Sequence, residues 1–388
     1  METRKLFYED GYLRHFSARV TACVPCEKGY YVNLDATAFY PEGGGQACDT
    51  GTLGEAKVLD VREKDGEIVH LCDRPLTVGE TVEGNIDFDH RFDLMQQHTG
   101  EHIVSGILHA KYGFHNTGFH VGADVMQVDF DGEFSPKDIP WLEEQANKAV
   151  WENQPVRCWI PSEEELKNTV YRTKRELPWP VRIVQVGEVD SCACCGIHVG
   201  TTAEVGLIKI FSCVKFHQGV RMEMACGKRA LTLLSAAYNQ NRQVSQAFSA
   251  KIWETGEAAR KMNRVLAEEK FRATALERQL FDYIAESYVN QENVIHFTDS
   301  LSAGSMRELA ERISKKCQGF AGVFVPEGET VRYCLCSKDM DLRNLGREMT
   351  AHLSGRGGGK PNAQQGTLQA KESEIRGFFA EAFSRCEI

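Results

Sequence analysis

FDLMQQHTGEHIVSGILHAKY, residues 92–112, organises the reading of this 388-residue chain. Apolar residues recur at 94/95, 103/104, 107/108 and 112, the period of a helix. His98 and His102 are four apart, so both imidazoles fall on one face of that helix, one turn apart, within reach of one ion. Glu101 stands immediately before the second histidine. The HExxH order of a zinc protease, with the glutamate after the first histidine, is therefore absent.

A second donor-rich stretch is Cys192-Ala-Cys194-Cys195-Gly-Ile-His198. A cysteine and a histidine four apart on a glycine-containing turn can add two ligands to the helical pair. Three imidazole nitrogens and one thiolate make a tetrahedral set suited to Zn²⁺. The expected ligands are His98, His102, Cys194 and His198, with Cys192 and Cys195 as rival thiolates. Four protein ligands also describe a purely structural zinc, and that alternative stays open.

The chain reads outward from this pair of motifs as an α+β protein in four parts. Residues 1–88 hold strand-forming runs (GYYVNLDATAFY, AKVLDV, GEIVHLC) between turn signals at GGG 43–45 and TGTLGE 50–55, as in a small β-barrel or sandwich. Residues 89–227 alternate helix and strand around the donor motifs. There Ser135 is placed as an N-cap and Pro136 at the first helical position. Residues 228–289 are nearly free of Gly and Pro and amphipathic, which predicts a long helical hairpin or coiled-coil arm broken near Thr255-Gly256. Residues 290–388 predict a compact α/β unit, with GRGGGKPNAQQG as a loop and ESEIRGFFAEAFSR as the last helix.

Composition excludes several classes. No run of about 18 apolar residues is present, so no membrane span is expected. The charged N-terminus lacks a signal-peptide core, so a cytoplasmic protein is expected. There the 14 cysteines are expected as free thiols, not as a disulfide scaffold. Cys23-Val-Pro-Cys26 lacks a thioredoxin-like context and reads as packing or surface thiols.

Two glycine-rich segments remain. FYPEGGGQ, residues 39–46, allows close backbone approach at Gly43, Gly44 and Gly45, with Gln46 offering an amide; the plain alternative is a tight hairpin turn. GRGGGKPNAQQG, residues 355–366, carries Arg356 and Lys360, which can meet phosphate; the alternative is a solvated loop. Pro361 after Lys360 breaks the GxxxxGK[ST] pattern, so an ATPase reading fails.

AFYPEGGGQACDTG (38–51), QQHTGEH (96–102), DSCACCGIHVGTTAEVG (190–206), GVRMEMACG (219–227) and SGRGGGKPNAQQG (354–366) together resemble the alanyl-tRNA editing protein family in its C-terminally extended form. HxxxH with CxxxH is shared with threonyl-tRNA synthetase editing domains; GGGQ and GRGGGKP narrow the resemblance to the alanyl type. The last segment is similar to the domain shared with DHH-type phosphoesterases, although no DHH triplet occurs. The resemblance implies one Zn²⁺ per chain and hydrolysis of the ester of mischarged tRNA(Ala), carrying serine or glycine. It further implies Thr37 as the group that meets the serine hydroxyl, and Gln46 and the Gly43–Gly45 backbone as groups for the terminal adenosine or oxyanion. Glu101 is a candidate catalytic carboxylate, and Arg356 and Lys360 are candidate tRNA contacts. A homodimer through the arm or the C-terminal unit is a further expectation. The alternatives are a threonyl-type editor and a non-catalytic zinc protein that binds tRNA. Nothing resembles an adenylate-forming core, so the expectation is to cleave the ester and not to make it.

The net charge of −10 first argues against nucleic acid. Split along the chain, residues 1–227 carry −13 and residues 228–388 carry +3. The expectation is therefore that a tRNA body lies along the C-terminal parts, with its acceptor end at the zinc.

Overall fold

A computed structural model describes residues 2–173 and 177–384. It is a mixed α+β chain that divides into two units, Met1–Val244 and Ser245–Ile388.

In the first unit six strands pair in a closed ring. They run in the order His15–Cys26, Gly29–Leu34, Glu67–Cys72, Ala56–Lys64, Gly51–Leu53 and Thr81–Ile86. Alternation drives this: the 15–20 run HFSARV points Phe16, Ala18 and Val20 inward and its polar residues outward. Val32, Leu34, Phe39, Leu53, Val61 and Ile68 complete an apolar cluster in the interior. The first and longest of these strands is one that the composition of residues 15–26 does not announce. Cys23 and Cys26 lie on it as part-buried thiols.

The helix Phe88–Tyr112 follows at once. Asp87 caps it by accepting from the His90 N–H, and Gly113 ends it in the left-handed region at φ 71°. Leu94 to Gly106 are buried on every face, not along one stripe. Polar positions survive there because each meets a fixed partner. Gln97 exchanges two hydrogen bonds with the Cys226 backbone (2.7 and 3.0 Å), and Gln96 donates to Glu204 O at 2.8 Å.

Around this helix stand a four-stranded antiparallel sheet and a three-stranded one. The first runs Ile208–Phe216, Gly219–Cys226, Met126–Phe130, Asn116–Val121; the second runs Val156–Trp159, Ile183–Val186, Asp190–Ala193. Ser135 caps a short 3₁₀ turn begun by Pro136, as expected, and Ile139–Trp151 follows as a helix.

The expected arm forms two helices, Gly227–Ala247 and Thr255–Glu286, and Thr255-Gly256 begins the second instead of breaking the pair. The break lies upstream, at 248–254, where Ser249 turns the chain at φ 49°. Leu231, Met262, Leu266, Phe271, Leu276 and Leu280 are half exposed or more on these helices.

In the second unit the helices Ala303–Ser314, Arg343–His352 and Glu372–Ser384 accompany a five-stranded sheet. Its order is Val294–Phe297, Phe320–Glu327, Thr330–Ser337, Ala363–Leu368, Arg356–Lys360; the first pair is parallel and the rest antiparallel. Residues 355–366, expected as a loop, form most of a hairpin whose first strand is the sheet edge. Glycine is required for this approach: a Cβ at Gly357 would lie 2.0 Å from the Tyr333 hydroxyl oxygen. Arg385, expected to close the last helix, and Cys386 lie outside the described residues.

The thirteen described cysteines are free thiols. Among the described residues no helix is long and apolar enough to cross a membrane.

Candidate metal centre

His98 and His102 project from the buried helix. Cys194 and His198 come from the turn that leaves the strand Asp190–Ala193. Their donor atoms all lie within 4.8 Å of one another. Cys194 Sγ stands 3.4 Å from His98 Nε2.

Each imidazole is held from behind by its Nδ1. His98 Nδ1–H donates to Gln46 Oε1 at 2.8 Å, and His102 Nδ1–H donates to Asp190 Oδ2 at 2.9 Å. His198 Nδ1 is 3.1 Å from Thr99 Oγ1. Such bonds fix the ring orientation and leave Nε2 as the donor facing inward. His198 Nε2 is buried and has no hydrogen-bond partner among the described residues. An orphaned buried nitrogen is costly unless something else satisfies it, and a cation among three nitrogens and a thiolate does so. The donor set fits zinc.

The charges agree. Burial alone would raise the Cys194 thiol, but the facing imidazoles of His98, His102 and His198 bring it well below its usual range. Burial, with the charge of His98 added, lowers His198 to about 3. Burial works against a charged His102, yet Asp190 and then Cys194 outweigh it and raise that imidazole. Cys192 is pushed up to about 11, chiefly by burial, and stands with His102 and Asp190 instead of in the four-donor group. The Cys195 thiol is also raised by burial. Of Cys192, Cys194 and Cys195, Cys194 is the one brought into the four-donor cluster, and the one whose thiol is lowered.

The cluster opens on a cavity of about 1230 Å³. Gly44, Gly45, Phe119, Lys5, Tyr8 and Arg182 form part of its wall, and Glu101 is the one carboxylate among the described lining residues. Asn116 Nδ2 donates to Glu101 at 2.5 Å, and Ser105 donates to the same oxygen.

Three family models match segments of the chain. They are tRNA synthetases class II (A) at 13–90, the threonyl and alanyl tRNA synthetase second additional domain at 181–221, and the DHHA1 domain at 290–387. The alanyl-tRNA editing protein AlaX-L of Pyrococcus horikoshii is 28% identical over 96% of both chains. The alanyl-tRNA editing protein Aarsd1 of Danio rerio is 25% identical over 97% of both. Over nearly its whole length the chain is similar to these alanyl-tRNA editing proteins. The alanine–tRNA ligase of Pyrococcus abyssi is 30% identical over 95% of this chain, which spans 42% of that enzyme. The C-Ala domain of Aquifex aeolicus alanyl-tRNA synthetase matches 24% of this chain and 92% of its own at 18% identity, with a TM-score of 0.21, too low to bear on the fold.

The other motif residues of the chain sort by location. The Gly43–Gly45 turn closes by reciprocal bonds between the Gly43 and Gln46 backbones (3.0 and 3.1 Å). Gly45, at φ 83°, could not be another residue, since a Cβ there would sit 2.5 Å from the Phe119 ring. This turn aims Gln46 Oε1 at His98. Gln46 Nε2 is buried without a partner among the described residues.

Thr37, which the resemblance implies as the group that meets the serine hydroxyl, is not among the described residues that line the cavity. It is fully buried, and its hydroxyl sits between the Phe39 N–H (3.1 Å) and His70 Nε2 (2.9 Å). Asp49, in the DTG part of the first motif, is fully buried against Arg91. Arg356 and Lys360 lie exposed on the edge strand of the second unit.

Sequence reasoning missed Asp190 and Arg172. Arg172 grips Asp190 through Nε and Nη2 (2.6 and 2.8 Å). The signal for Asp190 was an acid two residues before the cysteine cluster; nothing in the sequence marked Arg172.

Proposed function

We propose that this chain edits in trans, hydrolysing the ester of a mischarged tRNA(Ala) in the cavity beside His98, His102, Cys194 and His198. Two of the relatives named above, matched over nearly their whole length, are alanyl-tRNA editing proteins, which supports the reaction class. Seryl and glycyl esters are the proposed substrates. The observation that carries the chemistry is the four-donor cluster with each imidazole fixed through Nδ1. A zinc ion bound there supplies Lewis-acid polarisation of the ester carbonyl.

The chain's own residues supply the rest. Gln46 and Asp190 hold His98 and His102 in the orientation and tautomer that keep Nε2 free. Glu101, buried on the cavity wall and anchored by Asn116 and Ser105, takes the proton of the attacking water. Gly44 and Gly45 present backbone to the acceptor end without side chains in the way. Arg356 and Lys360, solvated on a glycine strand, are the proposed phosphate contacts for the tRNA body. A homodimer through the exposed apolar residues of the long helices is part of the same proposal.

One observation favours a second reading. Four protein donors close a tetrahedral sphere, as in structural zinc sites, which would make this a non-catalytic tRNA-binding protein. Purified protein with Ser-, Gly-, Thr- and Ala-charged tRNA decides. Release of serine or glycine that is lost in His102→Ala and Cys194→Ala supports editing. Retained binding with no release by the wild-type protein supports the second reading.

A further inference from the structure

We propose that the N-terminal segment Lys5–Tyr12 is a positioning element for the turn that presents Cys194 and His198. The two tyrosines are four residues apart and reach the two ends of that turn. The Tyr8 hydroxyl donates to the Cys195 carbonyl at 2.9 Å. The Tyr12 hydroxyl accepts from the Gly200 N–H at 2.6 Å and donates to Glu204. His198 lies between these two attachments, and Cys194 immediately precedes the first.

The segment is itself anchored. Phe7 is buried and meets Tyr8 and Tyr40 edge-on, with ring centroids 4.6 and 5.4 Å away. Lys5 pairs in parallel with Thr37 next to the barrel, and Asp10 Oδ1 accepts from the Tyr12 N–H at 2.8 Å. Arg182 closes the arrangement. Its guanidinium lies 4.7 Å over the Tyr8 ring, and Nη1 donates to the carbonyls of Cys194 (3.0 Å) and Gly196 (2.7 Å).

Three consecutive carbonyls, 194 to 196, are therefore taken by Tyr8 and Arg182. The Gly196 N–H is directed to Cys194 Sγ at 3.3 Å. Backbone bonds hold only the ends of the turn (Cys194 N–H to Arg182 O at 3.1 Å, Val156 N–H to Gly200 O at 2.9 Å) and Thr99 Oγ1 accepts from the Val199 N–H at 3.3 Å, so residues 195–197 rely on these side chains. The segment lies ahead of the first matched family stretch, which begins at residue 13.

The inference rests on the metal reading of the cluster, and its test separates the two. Tyr8→Phe and Tyr12→Phe keep the rings and their packing and remove one hydroxyl each. Zinc affinity is measured by competition with a chromophoric chelator, and geometry by the visible bands of the Co²⁺-loaded protein. Each variant should bind zinc about tenfold more weakly and show shifted cobalt bands, the double variant more so. Glu204→Gln, which loosens Tyr12 from the far side and leaves Phe7 in the core, should weaken zinc binding in the same direction. Variants with unchanged affinity and unchanged bands, whether or not their thermal midpoint falls, would overturn the inference, because the hydroxyls would then serve stability alone. A wild-type protein that takes up neither ion removes the metal reading and this inference with it.

Discussion

Gln46 Oε1 accepts the Nδ1 proton of His98 at 2.8 Å, joining the glycine-rich turn of the barrel region to the helix that carries two of the four donors. The contact spans 52 residues of sequence and makes the GGGQ motif part of the candidate metal site as well as of the cavity wall. Gln46→Ala should therefore weaken zinc by about 10- to 100-fold through loss of the outer hydrogen bond. Gln46→Glu, which still accepts from Nδ1, should keep most of the affinity. Chelator competition on both variants checks this; equal loss in the two would show that the amide acts otherwise. Prolonged chelation of the wild-type protein should abolish deacylation, and added Zn²⁺ should restore it.

Gly196 tests the packing of the same contact. A Cβ there would lie 2.2 Å from His98 Cε1, 2.3 Å from its Nδ1 and 3.0 Å from Gln46 Oε1. Nothing in that position can yield without moving the ligand. Gly196→Ala is expected to lose zinc and at least tenfold in deacylation rate, a penalty of about 1.4 kcal/mol on the barrier. Gly377→Ala, in a helix where a Cβ meets nothing within 4 Å, is the control, and helix propensity predicts a slight stabilisation of up to about 1 kcal/mol. Metal analysis and single-turnover kinetics on the two proteins decide.

Local patterns carried much of this. The i,i+4 histidines, the CxxxH turn and the alternating barrel strands are short-range signals, and His98, His102, Cys194 and His198 were legible from spacing. What was not legible depends on long-range packing. The burial of Leu94 to Gly106 on all faces arises because polar residues such as Gln97 meet backbone 129 residues away. The glycines of 355–366 look like a flexible loop until Tyr333 is seen beneath Gly357. Arg172 and Tyr8 carry no motif, and only the fold brings them to Asp190 and Cys195.

Arg91 and Asp49 form a buried ion pair between the first motif and the start of the long helix. Arg91 Nε and Nη2 reach Asp49 at 3.1 and 2.5 Å, Nη1 donates to Leu13 O at 3.1 Å, and Asp49 Oδ2 also accepts from the Tyr40 N–H at 2.5 Å. Removing one partner leaves a desolvated charge. Arg91→Leu is expected to destabilise the first unit by about 3–5 kcal/mol. The double variant Arg91→Leu/Asp49→Asn should recover part of that loss. Urea unfolding followed by tryptophan fluorescence measures both, since four of the five tryptophans lie before residue 245. An Arg91→Leu protein as stable as wild type would contradict it.

His70 gives the barrel a dependence on pH. Burial lowers its imidazole to about 4, below the usual 6.5. Its Nδ1–H donates to Val32 O at 3.1 Å, so the neutral ring accepts the Thr37 hydroxyl at Nε2 (2.9 Å), and Thr37 in turn accepts from the Phe39 N–H (3.1 Å). The folded ring resists protonation until about pH 4, whereas the unfolded ring protonates near 6.5. Between those values the unfolded state holds the extra proton. This contribution is thus fully present above pH 6.5 and is lost as pH falls toward 4, about 3 kcal/mol in all. The difference in urea stability between wild type and His70→Leu should shrink over that window, because carboxylates titrate alike in both. Thr37→Val leaves the Phe39 N–H and His70 Nε2 without their partner and should cost about 1–3 kcal/mol at pH 7. Discrimination between Ser- and Ala-tRNA(Ala) by Thr37→Val, measured at a temperature where it remains folded, should be unchanged. A selective loss of serine release would instead return Thr37 to the substrate.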